Sequence, residues 1–172
     1  IDLSYGETRR HQRREHAADL RRWARQTYGI ENLTSDAQLA KLLQEAGWVP
    51  EVFTDTGRPS VKKEVLQHVD HPLAPVAVEV KHLEKMASAY LDNFLEIHHE
   101  GVLHPKIDPL KRTGRMAISD PSLQNLPRDD PLVRDAFIAR EGRTLLLCDY
   151  DQIEMRLLAH FSGDETLRRF FH

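Results

Sequence analysis

Residues 144–161, TLLLCDYDQIEMRLLAHF, combine a strand pattern with a helix pattern around one aspartate. The continuous apolar run over 144–148 is typical of a buried β-strand. The next residues predict a helix over 152–161 whose inward side chains are Ile153, Leu157, Leu158 and Phe161. Asp149 lies between the two elements, where a carboxylate is held rigidly enough to bind a metal ion. Carboxylate oxygens suit Mg²⁺, so Asp149 is a candidate magnesium ligand.

The neighbouring acids also fit a purely structural role. Asp151 lies where an N-cap residue belongs, and Glu154 follows three residues later, which is the spacing of a capping box. Spacing alone favours this interpretation over metal binding. Arg156 is then a salt-bridged surface residue, and Cys148 is a small buried hydrophobic side chain.

Helical patterns fill the first hundred residues. Capping boxes at Ser4/Glu7 and Ser35/Gln38, glycine stops and apolar spacings of three or four predict four helices: 4–28, 36–46, 60–70 and 73–100. The first helix carries a cluster of arginines: Arg9, Arg10, Arg13, Arg14, Arg21, Arg22 and Arg25. These arginines form either a phosphate-facing surface or a solvated helix face, and the second interpretation is favoured because acids are interspersed among them.

The sequence pattern changes after Gly101. Val102–His104 is predicted to be a short strand, and residues 105–135 contain five prolines with few signs of regular structure. A loop of this length in a compact domain is usually functional or disordered. Helices followed by a strand–helix unit predict an α+β fold.

The composition excludes several classes of protein. The 172 residues are 40% hydrophobic and 30% charged, with 24 Lys and Arg against 27 Asp and Glu. A globally basic nucleic-acid binder is excluded, although a local basic face is not. The single cysteine excludes a disulfide scaffold or a Cys-rich zinc site. No apolar run approaches the roughly 18 residues of a membrane span. We therefore expect a soluble, cytoplasmic protein, and the Ile1 start and the Phe170-Phe171 end predict a fragment.

Several motifs together resemble the family A DNA polymerases, the DNA polymerase I group of bacteria and phages. DYDQIEMR at 149–156 resembles the family's motif A. TGR at 113–115 and SDPSLQNLP at 119–127 resemble the loop that precedes motif A. NLTS at 32–35 and TGRPS at 56–60 resemble the family's thumb. The resemblance is dense from Thr113 to Phe171, and it implies a helical thumb over 1–101 and the N-terminal part of a β-sheet palm over 102–172.

The resemblance implies a role for each matching residue of motif A. Asp149 matches the palm aspartate that binds two catalytic Mg²⁺ ions, and the carbonyl of Tyr150 matches a backbone ligand. Glu154 matches the steric gate that fills the space of a ribose 2′-hydroxyl and so rejects ribonucleotides. Gln152 and Ile153 match residues that line the triphosphate side of the nucleotide pocket.

Other matching residues imply contacts with primer–template DNA. Arg115, Gln124 and Asn125 match polar residues near the primer end that touch the minor groove and the backbone, where contacts check pair shape without reading sequence. Gly57, Arg58 and Ser60 match the thumb tip that grips duplex phosphates, with amides supplied by a helix that begins at Ser60.

The implied function is a fragment of a monomeric, bacterial or phage DNA-directed DNA polymerase. Such an enzyme adds deoxynucleotides from their triphosphates to a primer 3′-OH, in DNA replication or repair. We expect these 172 residues alone to be inactive, because one aspartate does not complete a two-metal site. One alternative is a non-catalytic remnant that only binds duplex DNA. Another, a single-subunit RNA polymerase, is disfavoured by Glu154 and by the LQNLP loop.

The sequence departs from the family pattern at three places. Asp151 stands where Ser is usual, and an additional carboxylate two residues from Asp149 has the potential to change a neighbouring pKa or the metal preference. Ala117-Ile118 replace two hydroxyl residues, and Ser122 replaces a common Asn.

Overall fold

The computed structural model describes residues 1–128 and 130–171. The chain divides into two compact units, Ile1–Ile138 and Ala139–His172. The first unit therefore continues beyond Gly101, the predicted end of the thumb region. Helices and one small antiparallel sheet confirm the α+β fold class. Within the described ranges, none of the helices combines the length and apolarity that crossing a membrane requires.

Helices build most of the first unit. They are α1 (Leu3–Tyr28), α2 (Asp36–Glu45), α3 (Lys63–Leu66), α4 (Leu73–Lys85) and α5 (Asn93–Ile97), with a π-helical segment (Met86–Asp92) between α4 and α5. The last three run on from one another, so the long helix predicted over 73–100 forms with a π-helical interior and ends at Ile97. Its first part packs against α1 and α2 around a core that includes Leu39, Leu43, Leu73 and Val80.

The helix termini agree with the sequence prediction in part. Ser35 caps α2 by accepting from the amide of Gln38, and Gly29 ends α1 in the left-handed conformation at φ 67°. The predicted cap at Ser4 is wrong, because Asp2 caps α1 by accepting from the Tyr5 amide at 2.9 Å. A carboxylate two residues earlier thus satisfies the free amides of the first turn.

A short antiparallel sheet follows the helices. Strand β1 (Lys106–Asp108) pairs with β2 (Ala117–Ser119), and Ile107 lies opposite Ile118. A 3-10 turn (Leu123–Asn125) and α6 (Pro131–Arg134) complete the unit. The predicted strand at Val102–His104 is wrong, since Val102 forms only an isolated bridge with His99.

The second unit contains α7 (Ile153–Ser162) and α8 (Glu165–Phe170). The predicted buried strand over 144–148 is absent: this segment is irregular, and the Leu146 and Leu147 side chains are 86% and 93% exposed. No second strand lies within 139–171 to pair with it, and an unpaired strand leaves its backbone groups to water. Cys148 is exposed rather than buried for the same reason.

The prediction that the apolar face of α7 is buried is also wrong within this unit. Its four predicted inward side chains are exposed, between 41% for Ile153 and 80% for Phe161. The helix predicted from the spacing therefore forms, but the described residues of the second unit do not cover its apolar face.

Candidate functional site

The motif at 149–154 lies at the beginning of α7. Asp149, Tyr150 and Asp151 precede the helix in exposed, irregular backbone, and Gln152 is the N-cap residue with φ 50°. A positive φ is uncommon for a residue other than glycine and concentrates at functional sites. Ile153 opens the helix, and Glu154 lies in its first turn.

Arg156 holds the start of α7 in place. Its Nε donates to the backbone carbonyl of Asp151 at 2.8 Å, and its guanidinium lies 3.6 Å from the Asp151 carboxylate. Its Nη1 donates to the carbonyl of Phe171 at 3.1 Å, and the guanidinium also lies over the Phe171 ring. The predicted surface ion pair of Arg156 is therefore confirmed.

The capping box predicted for Asp151 and Glu154 is wrong. The N-cap position belongs to Gln152, whose side chain caps no amide, and the Asp151 carboxylate is paired with Arg156 instead. Asp151 thus has a structural role through its ion pair with Arg156 rather than as a helix cap. Asp149, by contrast, is assigned neither a capping role nor an ion pair with a described residue at the start of α7.

The donor set at this turn fits Mg²⁺ chemistry but does not make a complete centre. An exposed carboxylate at Asp149 and the adjacent carbonyl of Tyr150 are hard oxygen ligands, and Mg²⁺ is commonly held by one or two carboxylates together with substrate phosphates. In the part of the chain that the structure describes, however, no group of three His, Cys, Asp or Glu side chains is assembled for a metal ion. Further ligands must come from substrate, water or residues outside these ranges.

The loop at 54–60 is a tight hairpin that exposes Arg58. The Thr54 amide donates to the carbonyl of Arg58 at 2.8 Å, and Gly57 adopts φ 73° at the turn. Among the residues described, no carboxylate pairs with the Arg58 guanidinium. This arginine is therefore available to an external anion.

The helix predicted to begin at Ser60 is wrong. Helix α3 begins at Lys63 and has 4 residues, while Ser60 is only 3% exposed. The Ser60 amide donates to the carbonyl of Val52 at 2.8 Å, closing the hairpin. Ser60 consequently fixes the base of the loop, and its amide is not directed at a phosphate.

The segment carrying Arg115 follows a turn beyond β1. Gly114, at φ 76°, donates its amide to the carbonyl of Lys111 at 2.8 Å, and Arg115 is exposed just before β2. Lys111 Nζ lies 2.7 Å from the Asp108 carboxylate. The hydrogen bond from Lys111, aided by the Leu110 amide, lowers the pKa of Asp108.

Gln124 and Asn125 make internal hydrogen bonds. The Gln124 side chain donates to the carbonyl of Met116 at 3.2 Å and accepts from the amide of Ile118 at 3.1 Å. The Asn125 side chain donates to the hydroxyl of Ser122 at 2.9 Å. The fold thus brings Gln124 next to the Arg115 segment.

The arginine cluster of α1 is largely neutralised within the protein. Asp92 pairs with both Arg10 and Arg14, and Glu84 pairs with Arg21. The other arginine pairs described for this helix are Arg13–Asp130, Arg22–Asp19 and Arg25–Glu31. These ion pairs favour the solvated structural face over the phosphate-facing surface.

Sequence reasoning missed one buried polar cluster. The Asp130 carboxylate contacts Arg13 at 3.0 Å and His82 at 3.0 Å, and it caps α6 by accepting from the Leu132 amide. The dipeptide Asp130-Pro131 carries a signal for the cap alone, an acid followed by proline at the first helical position. Nothing in the sequence signals the two long-range contacts.

Comparison with known proteins assigns the family. The family model described as DNA polymerase family A matches residues 4–172, so this chain belongs to DNA polymerase family A, as its motifs predicted. It is 41% identical over 150 residues to the thermostable DNA polymerase I of Thermus filiformis, covering 81% of this chain and 18% of that protein. It is 35% identical over 149 residues to the DNA polymerase of Mycobacterium phage L5, covering 84% of this chain and 25% of that protein.

A solved structure gives the same assignment. The POL domain of Pol1 from M. smegmatis, in complex with DNA primer-template and dNTP, matches with a TM-score of 0.80 and 27% identity. That match covers 97% of this chain and 31% of the solved chain. The chain therefore spans a minor part of the length of its relatives.

Proposed function

We propose that this chain is the thumb, residues 1–101, and the N-terminal part of the palm, residues 102–172, of a DNA-directed DNA polymerase. The parent protein would extend a primer on a DNA template by transferring a deoxynucleotide to its 3′-hydroxyl with release of pyrophosphate. The observation that carries this proposal is Asp149-Tyr150 placed before α7, with Glu154 in the first turn, in a family A chain. The likeness to a polymerase domain in complex with DNA primer-template and dNTP supports it.

We assign the metal-binding role to the oxygen atoms before α7. The Asp149 carboxylate and the Tyr150 carbonyl would hold Mg²⁺ together with the phosphates of the bound nucleotide. Two Mg²⁺ ions, when bound, supply positive charge for the attacking and leaving oxygens of the transfer. The exposure of both groups supports this role, since the nucleotide must reach them.

We assign selection of the sugar to the first turn of α7. The Glu154 side chain would occupy the space that a ribose 2′-hydroxyl needs, so a ribonucleotide is rejected by steric clash. Gln152 and Ile153, which open the helix, would line the triphosphate side of the pocket. The left-handed backbone at Gln152 turns the chain into α7 at this point.

We assign DNA binding to two exposed loops of the first unit. Arg58 at the tip of its hairpin would contact a duplex phosphate, with Gly57 providing the turn and Ser60 the base of the loop. Arg115 would contact the primer–template near the primer end, and Gln124 and Asn125 lie in the adjoining turn. Phosphate contacts of this kind bind duplex DNA without reading its sequence.

The parent enzyme is proposed to act as a monomer in the cytoplasm of a bacterial cell, where a phage-encoded polymerase would also act. The isolated 172 residues would not polymerise, because the single palm aspartate Asp149 does not complete a two-metal site. A non-catalytic remnant that retains duplex binding is the second candidate. Exposed Arg58 supports that alternative equally well, since its role needs no metal.

Primer extension by the intact protein tests the proposal. Wild-type protein should extend a labelled primer in the presence of Mg²⁺ and the four dNTPs. Asp149→Ala should abolish extension and leave the Kd for primer–template duplex within about twofold. Asp19→Asn is the matched control, because Asp19 lies exposed on α1 and pairs with Arg22, and it should retain most of the extension rate. Duplex binding by a wild-type protein that never extends the primer would favour the remnant.

A further inference from the structure

The outer edge of β2 is closed by a side chain. Opposite residues of an antiparallel pair alternate between those that exchange backbone hydrogen bonds and those that do not. Ile118 lies opposite Ile107, but its amide bonds to Gln124 rather than to β1. The side-chain amide of Gln124 accepts from the Ile118 amide and donates to the Met116 carbonyl. A side-chain amide carries one acceptor and one donor group, so it pairs with this edge as a neighbouring strand would.

The turn that carries Gln124 is itself fixed to the helices. Leu123 and Leu126, on either side of it, pack against a cluster that contains Met86, Phe94 and Val133. The Tyr90 hydroxyl donates to the carbonyl of Asn125 at 3.0 Å. Tyr90 lies in the π-helical segment, a feature that is frequent at functional sites. The Gln124 side chain therefore reaches β2 from an anchored base.

Arg115 is bonded directly to the residue that Gln124 holds. The Met116 carbonyl follows Arg115 by one residue, and both Arg115 and the preceding Gly114 turn are exposed. A two-stranded sheet by itself is only marginally stable, so contacts from outside the sheet help to fix its loop ends. Fixing Met116 and Ile118 thus limits the positions that the Arg115 backbone adopts.

We infer that Gln124 is a positioning residue that acts through Arg115, holding the Arg115 loop against the helical part of the first unit for DNA binding. This inference rests on the proposed DNA-binding role of Arg115. It differs from a direct contact of Gln124 with the minor groove, because the oxygen and nitrogen of the Gln124 amide are already bonded to the Ile118 amide and the Met116 carbonyl.

The two hydrogen bonds of the Gln124 side chain are tested first without DNA. In the intact protein, Gln124→Ala should raise the hydrogen-exchange rate of peptides covering 116–120 by about fivefold or more, because about fivefold is typical for one net hydrogen bond and both bonds of the Gln124 amide are lost. Gln124→Glu should give an intermediate rate, since a carboxylate still accepts from Ile118 but does not donate to Met116. Gln44→Ala, an exposed glutamine on α2, is the matched control and should change nothing. Unchanged exchange in Gln124→Ala would overturn the inference.

A double-mutant cycle then separates positioning from direct contact. We expect Gln124→Ala to weaken the Kd for primer–template duplex by about fivefold in the wild-type background and by less than about twofold when Arg115→Ala is present. Equal effects in both backgrounds would show that Gln124 contacts DNA by itself and would overturn the inference. If the wild-type protein bound no duplex, the proposed function would fail. The exchange experiment would still decide whether Gln124 restrains the segment at 116–118.

Discussion

The Asp130 carboxylate lies 3.0 Å from the Arg13 guanidinium, although 117 residues separate the two along the chain. The same carboxylate contacts His82 and is only 7% exposed. It therefore joins α1, α4 and the beginning of α6 at one point. A buried carboxylate with three partners of this kind is a structural centre of the first unit.

Removing this carboxylate should destabilise the first unit. We expect Asp130→Ala to lower the free energy of unfolding by about 2 kcal/mol, because Arg13 loses its buried partner and α6 loses its cap. Urea denaturation followed by circular dichroism measures the change. The exposed Asp19, which pairs with Arg22, provides the control: Asp19→Ala should change stability by less than about 0.5 kcal/mol. Equal effects of the two substitutions would contradict the structural role of Asp130.

Sugar selection should depend on Glu154. In the intact protein, Glu154→Ala should raise the efficiency of ribonucleotide incorporation relative to deoxynucleotide by about tenfold or more, because the clash with the 2′-hydroxyl is removed. Single-nucleotide extension with each substrate measures the ratio of kcat/KM values. Glu165→Ala changes a glutamate in the first turn of α8 and should leave the ratio unchanged. A wild-type ratio in Glu154→Ala would refute the gate.

Arg58 should contribute to the salt dependence of DNA binding. We expect Arg58→Ala to reduce the slope of log K against log salt concentration by about one, the effect of one lost phosphate contact. Fluorescence anisotropy with a duplex at several salt concentrations gives the slope. Arg22 is paired with Asp19 at 2.9 Å, so Arg22→Ala should leave the slope as it is. A slope that does not change in Arg58→Ala would remove the hairpin from the DNA interface.

The pKa of Asp108 should rise when Lys111 is replaced by methionine. Lys111 makes the largest contribution to the lowered pKa, and the Leu110 amide retains a smaller one. Since the folded pKa lies below the unfolded value, this pair stabilises the folded state above the unfolded pKa, and the contribution is lost as the pH falls through the folded pKa. An NMR titration of the Asp108 carboxyl tests the shift. Lys41→Met on α2 should leave the titration unaltered.

Local signals in the sequence were enough to predict the longer helices. Ser35 caps α2 as its position indicated, and the apolar spacing after Leu73 predicted a long helix that forms. These features depend on residues a few positions apart. The motif at 149–156 predicted the family for a different reason, because its residue types and order are specific.

Features that depend on distant partners were not predictable. The apolar run at 144–148 predicts a buried strand but does not indicate which residues would cover it. The described residues of its unit contain no partner strand. Strands β1 and β2 have 3 residues each, too few to carry an alternating pattern. The side-chain bonds of Gln124 join two loops that the sequence presents only as polar and proline-rich.

The π-helical segment Met86–Asp92 has a consequence for the long helix as a whole. Side chains before it, such as Val80 and Leu83, belong to one apolar cluster, whereas Met86 and Phe94 belong to the other. Each residue of a regular α-helix turns the chain by about 100° around the helix axis. The wider π turn rotates each residue by less, so it changes the direction in which the side chains after it point. The continuous helix thus contributes side chains to two separate apolar clusters.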